Sequence, residues 1–149
     1  MTTKSPARGP NATGYLHNLC SQGNVPAIKD FLKNVSDVKQ LEEQVGFLGY
    51  TPLHEAINQR HIAVVKLLLY HGADPNAKAH GFYTPLHMAA SMDNVECVEL
   101  LLKRGADIRC KDEFQKTPYE TAIINKCSKA AKLLKSEGKG NYYVKFCRC

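Results

Sequence analysis

One four-residue motif returns in this chain at a fixed interval. Thr-Pro-Leu-His occupies residues 51–54 and, 33 positions later, residues 84–87. Each copy is followed at the same spacing by a leucine-rich run and then by Gly-Ala-Asp, at residues 72–74 and 105–107. A fixed period of this length is the signature of a repeat array, in which each repeat is one supersecondary unit.

Two less regular copies flank the central pair. At the C-terminal side, Thr117 and Pro118 keep the period, while Tyr119 and Glu120 replace the Leu-His pair. At the N-terminal side, residues 16–17 read Leu-His, but they lie 37 rather than 33 positions before the next copy. We therefore expect an N-terminal cap with a four-residue insertion between residues 34 and 49, where residues 38–43 favour a short helical turn.

The motif itself predicts where helices begin and end. A threonine hydroxyl can cap a helix N-terminus, and the following proline suits the first helical position because its φ is already fixed. Apolar residues then recur at helical spacing through two consecutive helices. We expect these second helices to end at left-handed glycines, namely Gly72, Gly105 and Gly138. Two helices cannot bury such a surface alone, so neighbouring units must stack.

This pattern resembles the ankyrin repeat, and the resemblance extends from Gly14 to Gly138. It implies an all-α solenoid of stacked helix-turn-helix units with β-hairpin-like finger turns. The predicted organisation is a flexible N-terminal tail at 1–13, a cap at 14–48, repeats at 49–81, 82–114 and 115–138, and a basic C-terminal tail at 139–149. We expect the third repeat, which carries lysines on its last helix, to act as a polar C-terminal cap.

Composition restricts the class of protein further. The 149 residues suit one domain. The N-terminus lacks an apolar signal region, and no run of eighteen apolar residues occurs. We expect a soluble protein of the cytoplasm, also present in the nucleus, that is monomeric when free. Its six cysteines are then reduced.

Catalytic and metal chemistry receive little support from the sequence. In the ankyrin family, the motif histidine hydrogen-bonds to backbone between repeats, which the resemblance implies for His54 and His87. Glu120 takes this position in the third repeat. Cys20 and Cys97 align with core positions, where cysteine behaves as a small apolar group. We predict no enzyme activity, no metal site and no cofactor.

The resemblance places function on the finger turns and on the concave helix surface. The fingers are residues 47–50, 80–83 and 112–116, and each contains aromatic residues. Exposed aromatic side chains often anchor protein interfaces. The usual glycine is kept at Gly49 but is replaced by Phe82 and Gln115, so we expect those two turns to differ in shape. The predicted partner-binding residues are Phe47, Tyr50, His80, Phe82, Tyr83, Phe114 and Lys116 on the fingers, and Asn58, Gln59, Ser91 and Met92 on the concave surface, with Ile124 and Asn125 near its end.

Two further features are left open by the sequence. Asn76 occupies the position at which ankyrin proteins are often hydroxylated, so the resemblance implies possible modification there. The net charge of +6 lies entirely in the last 24 residues, which carry seven cations and Glu137. This asymmetry indicates an anionic neighbour. The candidate residues are Lys126, Lys129, Lys132, Lys135, Lys139, Lys145 and Arg148.

The leading hypothesis is a non-enzymatic adaptor, scaffold or inhibitor that binds a partner protein of unknown identity through fingers and concave surface. The alternative is binding of nucleic acid or an anionic membrane through the basic C-terminal segment. Salt dependence separates the two, because phosphate binding weakens steeply as salt rises.

Overall fold

The computed structural model describes residues 14–33 and 41–140, apart from the side chains of the last two residues of the second range. The eight α-helices of these residues form four consecutive pairs. They are α1 (Tyr15–Gln22), α2 (Val25–Lys33), α3 (Pro52–Asn58), α4 (Ile62–Tyr70), α5 (Pro85–Ser91), α6 (Val95–Lys103), α7 (Pro118–Ile124) and α8 (Ser128–Gly140).

The pairs stack side by side in chain order. The first helices of the pairs, α1, α3, α5 and α7, pack in one row, and the second helices, α2, α4, α6 and α8, pack in a parallel outer row. Each helix contacts mainly its partner and the equivalent helix of the neighbouring pair. The predicted all-α repeat fold is confirmed, since contacts between neighbours build the whole stack.

Threonine and proline set the start of α3, α5 and α7. Thr51, Thr84 and Thr117 have extended backbones, and their hydroxyls accept the backbone N–H three residues later. Proline follows each threonine at the first helical position. The same arrangement in the third repeat shows that its loss of Leu-His leaves the capping chemistry intact.

Left-handed residues end the helices, with one exception to the prediction. Gly72 and Gly105 have φ values of 93° and 90°, as expected for residues that end α4 and α6. The prediction for Gly138 is wrong, because this glycine lies inside α8, which continues to Gly140. The Gly-Ala-Asp sequence that turns the chain away in the central repeats is absent after Gly138, so nothing in the local sequence stops the helix there.

The core runs unbroken through the stack. Ile28, Leu68, Leu101 and Leu134, all on the outer row of helices, are buried. Cys20 on α1 and Cys97 on α6 are both completely buried, as predicted. Desolvation raises the pKa of both thiols to about 12, so they remain protonated apolar groups.

Contacts across the repeats also cap the last helix. The residue before α8 is Cys127, which offers no carboxylate or amide oxygen. Instead, the Asp93 Oδ1 atom of the preceding repeat accepts the backbone N–H of Ala130 at 2.8 Å. Asp93 itself has a left-handed φ of 52°, which is tolerated better by aspartate than by most residues. One short side chain therefore fixes the second repeat to the third.

The ends of the stack were predicted only in part. Lys129, Lys132 and Lys135 are exposed on α8, which gives this helix the polar outer surface expected of a terminal repeat. The predicted tail at 1–13, most of the insertion and residues 141–149 lie outside the described residues. None of the described helices has both the length and the apolar character needed to span a membrane.

Candidate partner-binding cleft

Two buried histidines hold the fingers in place. The Nδ1 atom of His54 accepts the Thr51 hydroxyl at 2.9 Å and the Thr51 backbone N–H at 3.3 Å. Because a carbonyl oxygen can only accept, the Nε2 atom of His54 carries the proton and donates to the Tyr83 carbonyl at 3.1 Å. His87 repeats the arrangement and donates to the Lys116 carbonyl at 2.9 Å. Each histidine thus ties its helix to the finger of the next repeat.

Burial keeps these imidazoles neutral. Desolvation lowers the pKa of His54 from 6.5 to about 4, although the hydrogen bond to the Tyr83 carbonyl opposes this effect. The pKa of His87 is lowered by the same cause. His17 of the cap donates from Nε2 to the Tyr50 carbonyl, at 2.6 Å, which extends the series to three repeats. The neutral rings of His54 and His87, each hydrogen-bonded through both nitrogen atoms, are structural braces rather than acid-base groups.

In the third repeat, Glu120 forms the bonds within its own repeat but not the bond to a following finger. The Glu120 carboxylate accepts the Thr117 backbone N–H at 2.8 Å and its hydroxyl at 2.9 Å. These bonds lower the pKa of Glu120. A carboxylate has no proton to donate to a following finger, so Glu120 closes its own helix without bracing a further repeat.

The fingers share one left-handed residue despite their different sequences. Gly49, Phe82 and Gln115 have φ values of 61°, 57° and 59°. The second finger also differs from the other two, because Gly81 adds a second left-handed residue with a φ of 72° inside a short 3-10 turn, His80–Phe82. The expected difference in shape is therefore seen for the second finger, while Gln115 keeps the backbone φ of Gly49. Phenylalanine and glutamine accept here a left-handed conformation that glycine adopts without strain.

Backbone hydrogen bonds join the fingers edge to edge. His80 N–H donates to the Leu48 carbonyl at 3.0 Å, and Glu113 N–H donates to the Gly81 carbonyl at 2.8 Å. A Cβ atom added at Gly81 would lie 2.6 Å from the Glu113 carboxylate, so a side chain there would force the Glu113 side chain to move. The three fingers consequently form one continuous wall.

Asp112 shapes the third finger from within. Its Oδ1 atom accepts the backbone N–H groups of Phe114 at 2.9 Å and Lys116 at 2.8 Å. The side chain is nearly buried, unlike the exposed residues around it. We did not single out Asp112 from the sequence, although an aspartate two residues before a loop position is a known turn signal.

A cleft of about 620 Å³ opens between this wall and the concave surface of α7. We call it the finger-palm cleft. Its lining is Leu48, Tyr50, His80, Gly81, Tyr83, Asp112, Glu113, Phe114, Lys116, Thr121, Ile124 and Asn125.

Of the predicted partner-binding residues on the fingers, five line this cleft, and they are Tyr50, His80, Tyr83, Phe114 and Lys116. Phe47 and Phe82 are outside the lining and point to solvent, with 93% and 58% of their surface exposed. The ammonium of Lys78 lies 5.7 Å from the centre of the Phe82 ring.

Tyr50 and Tyr83 form the rigid part of the cleft. Their rings stack on His54 and His87, with centroids 5.6 and 5.3 Å apart. Burial raises the pKa of both tyrosine hydroxyls, so both remain neutral. Phe114, by contrast, is 72% exposed. The cleft thus combines fixed aromatic surfaces with an accessible aromatic edge.

The predicted concave residues of the first two repeats lie outside the lining. Asn58 and Gln59 are exposed, and the Gln59 amide donates to Glu55 at 2.9 Å. Ser91 and Met92 are partly buried, and the Ser91 hydroxyl donates to the Met88 carbonyl. At the end of the concave surface, Ile124 and Asn125 line the cleft. Thr121 also lines it, which sequence reasoning missed because threonine at a helix position gives no distinctive signal.

Family models of known sequences match most of the stack. A model described as "Ankyrin repeats (many copies)" matches residues 53–102, and one described as "Ankyrin repeats (3 copies)" matches residues 78–144. The chain belongs to the ankyrin-repeat family. Ankyrin repeats generally mediate protein–protein interactions, and domains built from them are generally non-catalytic.

Curated relatives of this ankyrin-repeat chain share only its repeats. Human SMC5-SMC6 complex localization factor protein 1 is 40% identical over 57 residues, which are 38% of this chain and 5% of that protein. Delta-latroinsectotoxin-Lt1a of Latrodectus tredecimguttatus is 40% identical over 73 residues, 48% of this chain and 6% of the toxin. Mouse 2-5A-dependent ribonuclease is 35% identical over 57 residues, 38% of this chain and 7% of the enzyme. The chain thus spans less than a tenth of each relative, and three differently named proteins share its repeats.

Asn76 is engaged in the folded ankyrin stack. Its amide nitrogen donates to the Gly105 carbonyl at 3.1 Å, and its amide oxygen accepts the Asp107 backbone N–H at 2.7 Å. Its own backbone N–H donates to Asp74. The side chain therefore joins two neighbouring repeats. An enzyme that hydroxylates Asn76 would first have to break these hydrogen bonds of the Asn76 amide.

The alternative basic site is described only in part. Lys126, Lys129, Lys132 and Lys135 are exposed, and none of them forms an ion pair with any residue that the structure describes. The last three lie on α8, whereas Lys126 lies in the preceding turn with a φ of 58°. The side chain of Lys139, and all of Lys145 and Arg148, lie outside the described residues.

Metal-binding groups are dispersed across the described ranges. No three His, Cys, Asp or Glu side chains within residues 14–33 and 41–140 are placed to bind one metal ion. Cys110 lies 3.4 Å from the Thr84 hydroxyl, and burial raises the pKa of its thiol. The Cys127 thiol donates to the Ser91 carbonyl.

Proposed function

We propose that this ankyrin-repeat protein binds an extended segment of a partner protein in the finger-palm cleft, and that it acts as an adaptor, scaffold or inhibitor. The observation that carries the proposal is the cleft itself. Leu48, Phe114 and Ile124 line it with 51%, 72% and 62% of their surfaces exposed. Contiguous exposed apolar surface of this kind is typical of interaction sites.

The chemistry of the lining favours an apolar anchor on the partner. The stacked Tyr50 and Tyr83 rings and the Phe114 edge would surround an inserted side chain. Each Å² of apolar surface removed from water contributes about 25 cal/mol. Lys116, Glu113 and His80 at the rim supply polar contacts that would orient the backbone of the segment.

Preorganisation supports useful affinity from a small site. The histidine braces and the finger-to-finger bonds fix the wall before any partner arrives. A surface that is already ordered loses little conformational entropy on binding. The protein therefore presents a preformed, rigid surface to its partner. We propose that it operates in the cytoplasm or nucleus, where the partner would be blocked, recruited or bridged to other proteins.

A matched pair of variants tests this proposal. Peptides selected from a random display library on the full chain would be measured by fluorescence polarisation against Phe114→Ala and Tyr70→Ala. Both aromatic side chains are highly exposed, at 72% and 74%, but Tyr70 lies on α4, outside the cleft lining. We expect Phe114→Ala to weaken binding about tenfold or more and Tyr70→Ala to leave it unchanged. Equal losses in both variants would refute the cleft as the binding site.

The exposed lysines of α8 support a second candidate function, binding to an anionic polymer or surface. A labelled DNA duplex and phosphatidylserine vesicles would be titrated with the chain at several salt concentrations. If this function holds, Lys129→Glu/Lys132→Glu weakens binding, and affinity falls steeply with salt. Binding that is indifferent to both changes would exclude it.

A further inference from the structure

A second groove lies between α6 and α8, in the outer row of helices. It has a volume of about 340 Å³, and its lining is Glu99, Leu102, Lys103, Leu133 and Glu137. None of these residues lines the finger-palm cleft. The volume is at the low end of the range found for ligand sites, so the groove suits one inserted side chain rather than a larger molecule.

The preceding junction, between α4 and α6, shows which side chain fits such a place. Arg104, at the C-terminus of α6, donates from its Nη1 atom to the Leu69 carbonyl of α4 at 3.1 Å. It thereby bridges the outer helices of the first and second repeats. The residues 33 positions later are Glu137 and Leu102, and both line the groove. The groove therefore occupies the place at which the preceding junction holds an arginine.

Glu137 cannot form the bond that Arg104 forms. An ionised carboxylate has no proton to donate to the Leu102 carbonyl. The last carbonyls of α6 carry partial negative charge, and Glu99 adds a second carboxylate to the lining. Lys103 is the single cation of the lining, and its ammonium forms no ion pair with either glutamate in the part of the chain that the structure describes. The groove thus has an excess of negative charge and of hydrogen-bond acceptors.

The apolar part of the groove fits the stem of an arginine. Leu102 and Leu133 are half-buried and line the groove beside the charged groups. Arginine packs its methylene groups along apolar surface while its charged head stays with polar groups. The planar guanidinium has five N–H donors, so one head can donate to a carbonyl and to carboxylates at the same time. An ammonium lacks this fixed planar geometry.

We propose that this groove binds an arginine side chain of a partner protein, which takes the place that Arg104 has in the preceding junction. The guanidinium donates to the Leu102 carbonyl and to the Glu137 carboxylate, and the stem lies on the two leucines. Glu99 supplies further negative charge. This interaction surface is separate from the finger-palm cleft, so the proposal does not depend on the partner proposed for that cleft.

Two short peptides that differ in charge test the proposal. The peptides are acetyl-leucyl-arginine amide and acetyl-leucyl-citrulline amide, since citrulline has nearly the shape of arginine but no charge. Each would be titrated into the isotope-labelled full chain while backbone amide signals are followed by NMR. We expect the arginine peptide to shift the amides of Leu102, Leu133 and Glu137 in a saturable way. The citrulline peptide should bind about fivefold more weakly or less, because charge-assisted hydrogen bonds are stronger than neutral ones.

Variants at the end of α8 locate the site. Glu137→Gln removes one charge and should weaken binding of the arginine peptide about fivefold. Glu137→Arg restores the residue of the preceding repeat. It should abolish binding and raise the melting temperature by roughly 2 °C or more, because the chain's own guanidinium then bonds to the Leu102 carbonyl. Ser136→Arg is the matched control, since Ser136 is exposed on α8 but outside the lining, and it should have neither effect.

Four results would overturn the proposal. An arginine peptide that shifts no amide of the groove would show that the groove does not bind it. Equal affinity of the two peptides would exclude recognition of the guanidinium charge. Shifts that persist in Glu137→Arg would place the peptide elsewhere on the chain. Equal effects of Ser136→Arg and Glu137→Arg would assign the result to the overall charge of α8. Because Ser136 and Glu137 are both exposed, all variants are expected to fold.

Discussion

Acidification should weaken the stack through the brace at His54. The ring is completely buried, and its pKa falls from 6.5 to about 4 on folding. The unfolded chain therefore binds a proton at a pH where the folded chain does not. Stability from this group is fully present above pH 6.5 and is lost as the pH falls through the folded pKa of about 4.

The size of the effect follows from the two pKa values. Each pKa unit corresponds to 1.36 kcal/mol, so complete protonation removes about 3 kcal/mol of unfolding free energy. Linkage places about 2 kcal/mol of that loss between about pH 7 and pH 5. His87 changes stability in the same direction, because burial lowers its pKa as well.

Urea unfolding followed by circular dichroism at several pH values measures the loss. His54→Gln is the informative variant, because glutamine can still donate a hydrogen bond towards the Tyr83 carbonyl but does not titrate. The difference in pH dependence between the parent chain and this variant isolates His54. If both chains lose the same free energy between about pH 7 and pH 5, the imidazole is not the responsible group, and the linkage argument fails.

Three further outcomes follow from the contacts of the stack. Asp93→Ala removes the bond to the Ala130 N–H and should cost about 1 kcal/mol of unfolding free energy, measured in urea; an unchanged midpoint would contradict the cap across repeats. Gln115→Gly relieves a left-handed φ of 59° and should stabilise the chain by roughly 0.5–1 kcal/mol, whereas a lower midpoint would show that the glutamine side chain matters more. The Cys97 thiol, with a pKa of about 12, should resist a thiol reagent in the folded chain and react after unfolding; labelling at the rate of a free thiol would refute its burial.

The fold could be predicted from the sequence because its signals are local and periodic. Thr-Pro predicts a capped helix start, and the 33-residue spacing repeats that signal at the starts of α3, α5 and α7. The error at Gly138 has the same origin. A glycine marks a helix end only when the chain beyond it turns away, and that depends on residues outside the repeat pattern.

The cleft could be predicted only in part because it depends on distances between repeats. Tyr50 and Phe114 are 64 positions apart in the chain, yet they line one cavity. The position of a residue in the repeat distinguishes finger residues from helix residues, but it does not show which finger residues line the cleft. Phe82 illustrates the limit, since it stands between Gly81 and Tyr83, which line the cavity, yet lies outside the lining itself. Whether the predicted residues bind a partner stays a prediction.

The histidine braces connect each repeat to the one that follows it. Each brace runs forward, from a ring in one repeat to a carbonyl in the next, so the third repeat is held by His87 of the second. In a row of units coupled only to their neighbours, a terminal unit has one neighbour, so opening should begin at the ends of the stack. The finger-palm cleft is partly built by the third repeat, which is one of those ends. A partner seated there would slow amide exchange in α7 and α8, so occupancy of the cleft would be measurable as protection of a terminal repeat.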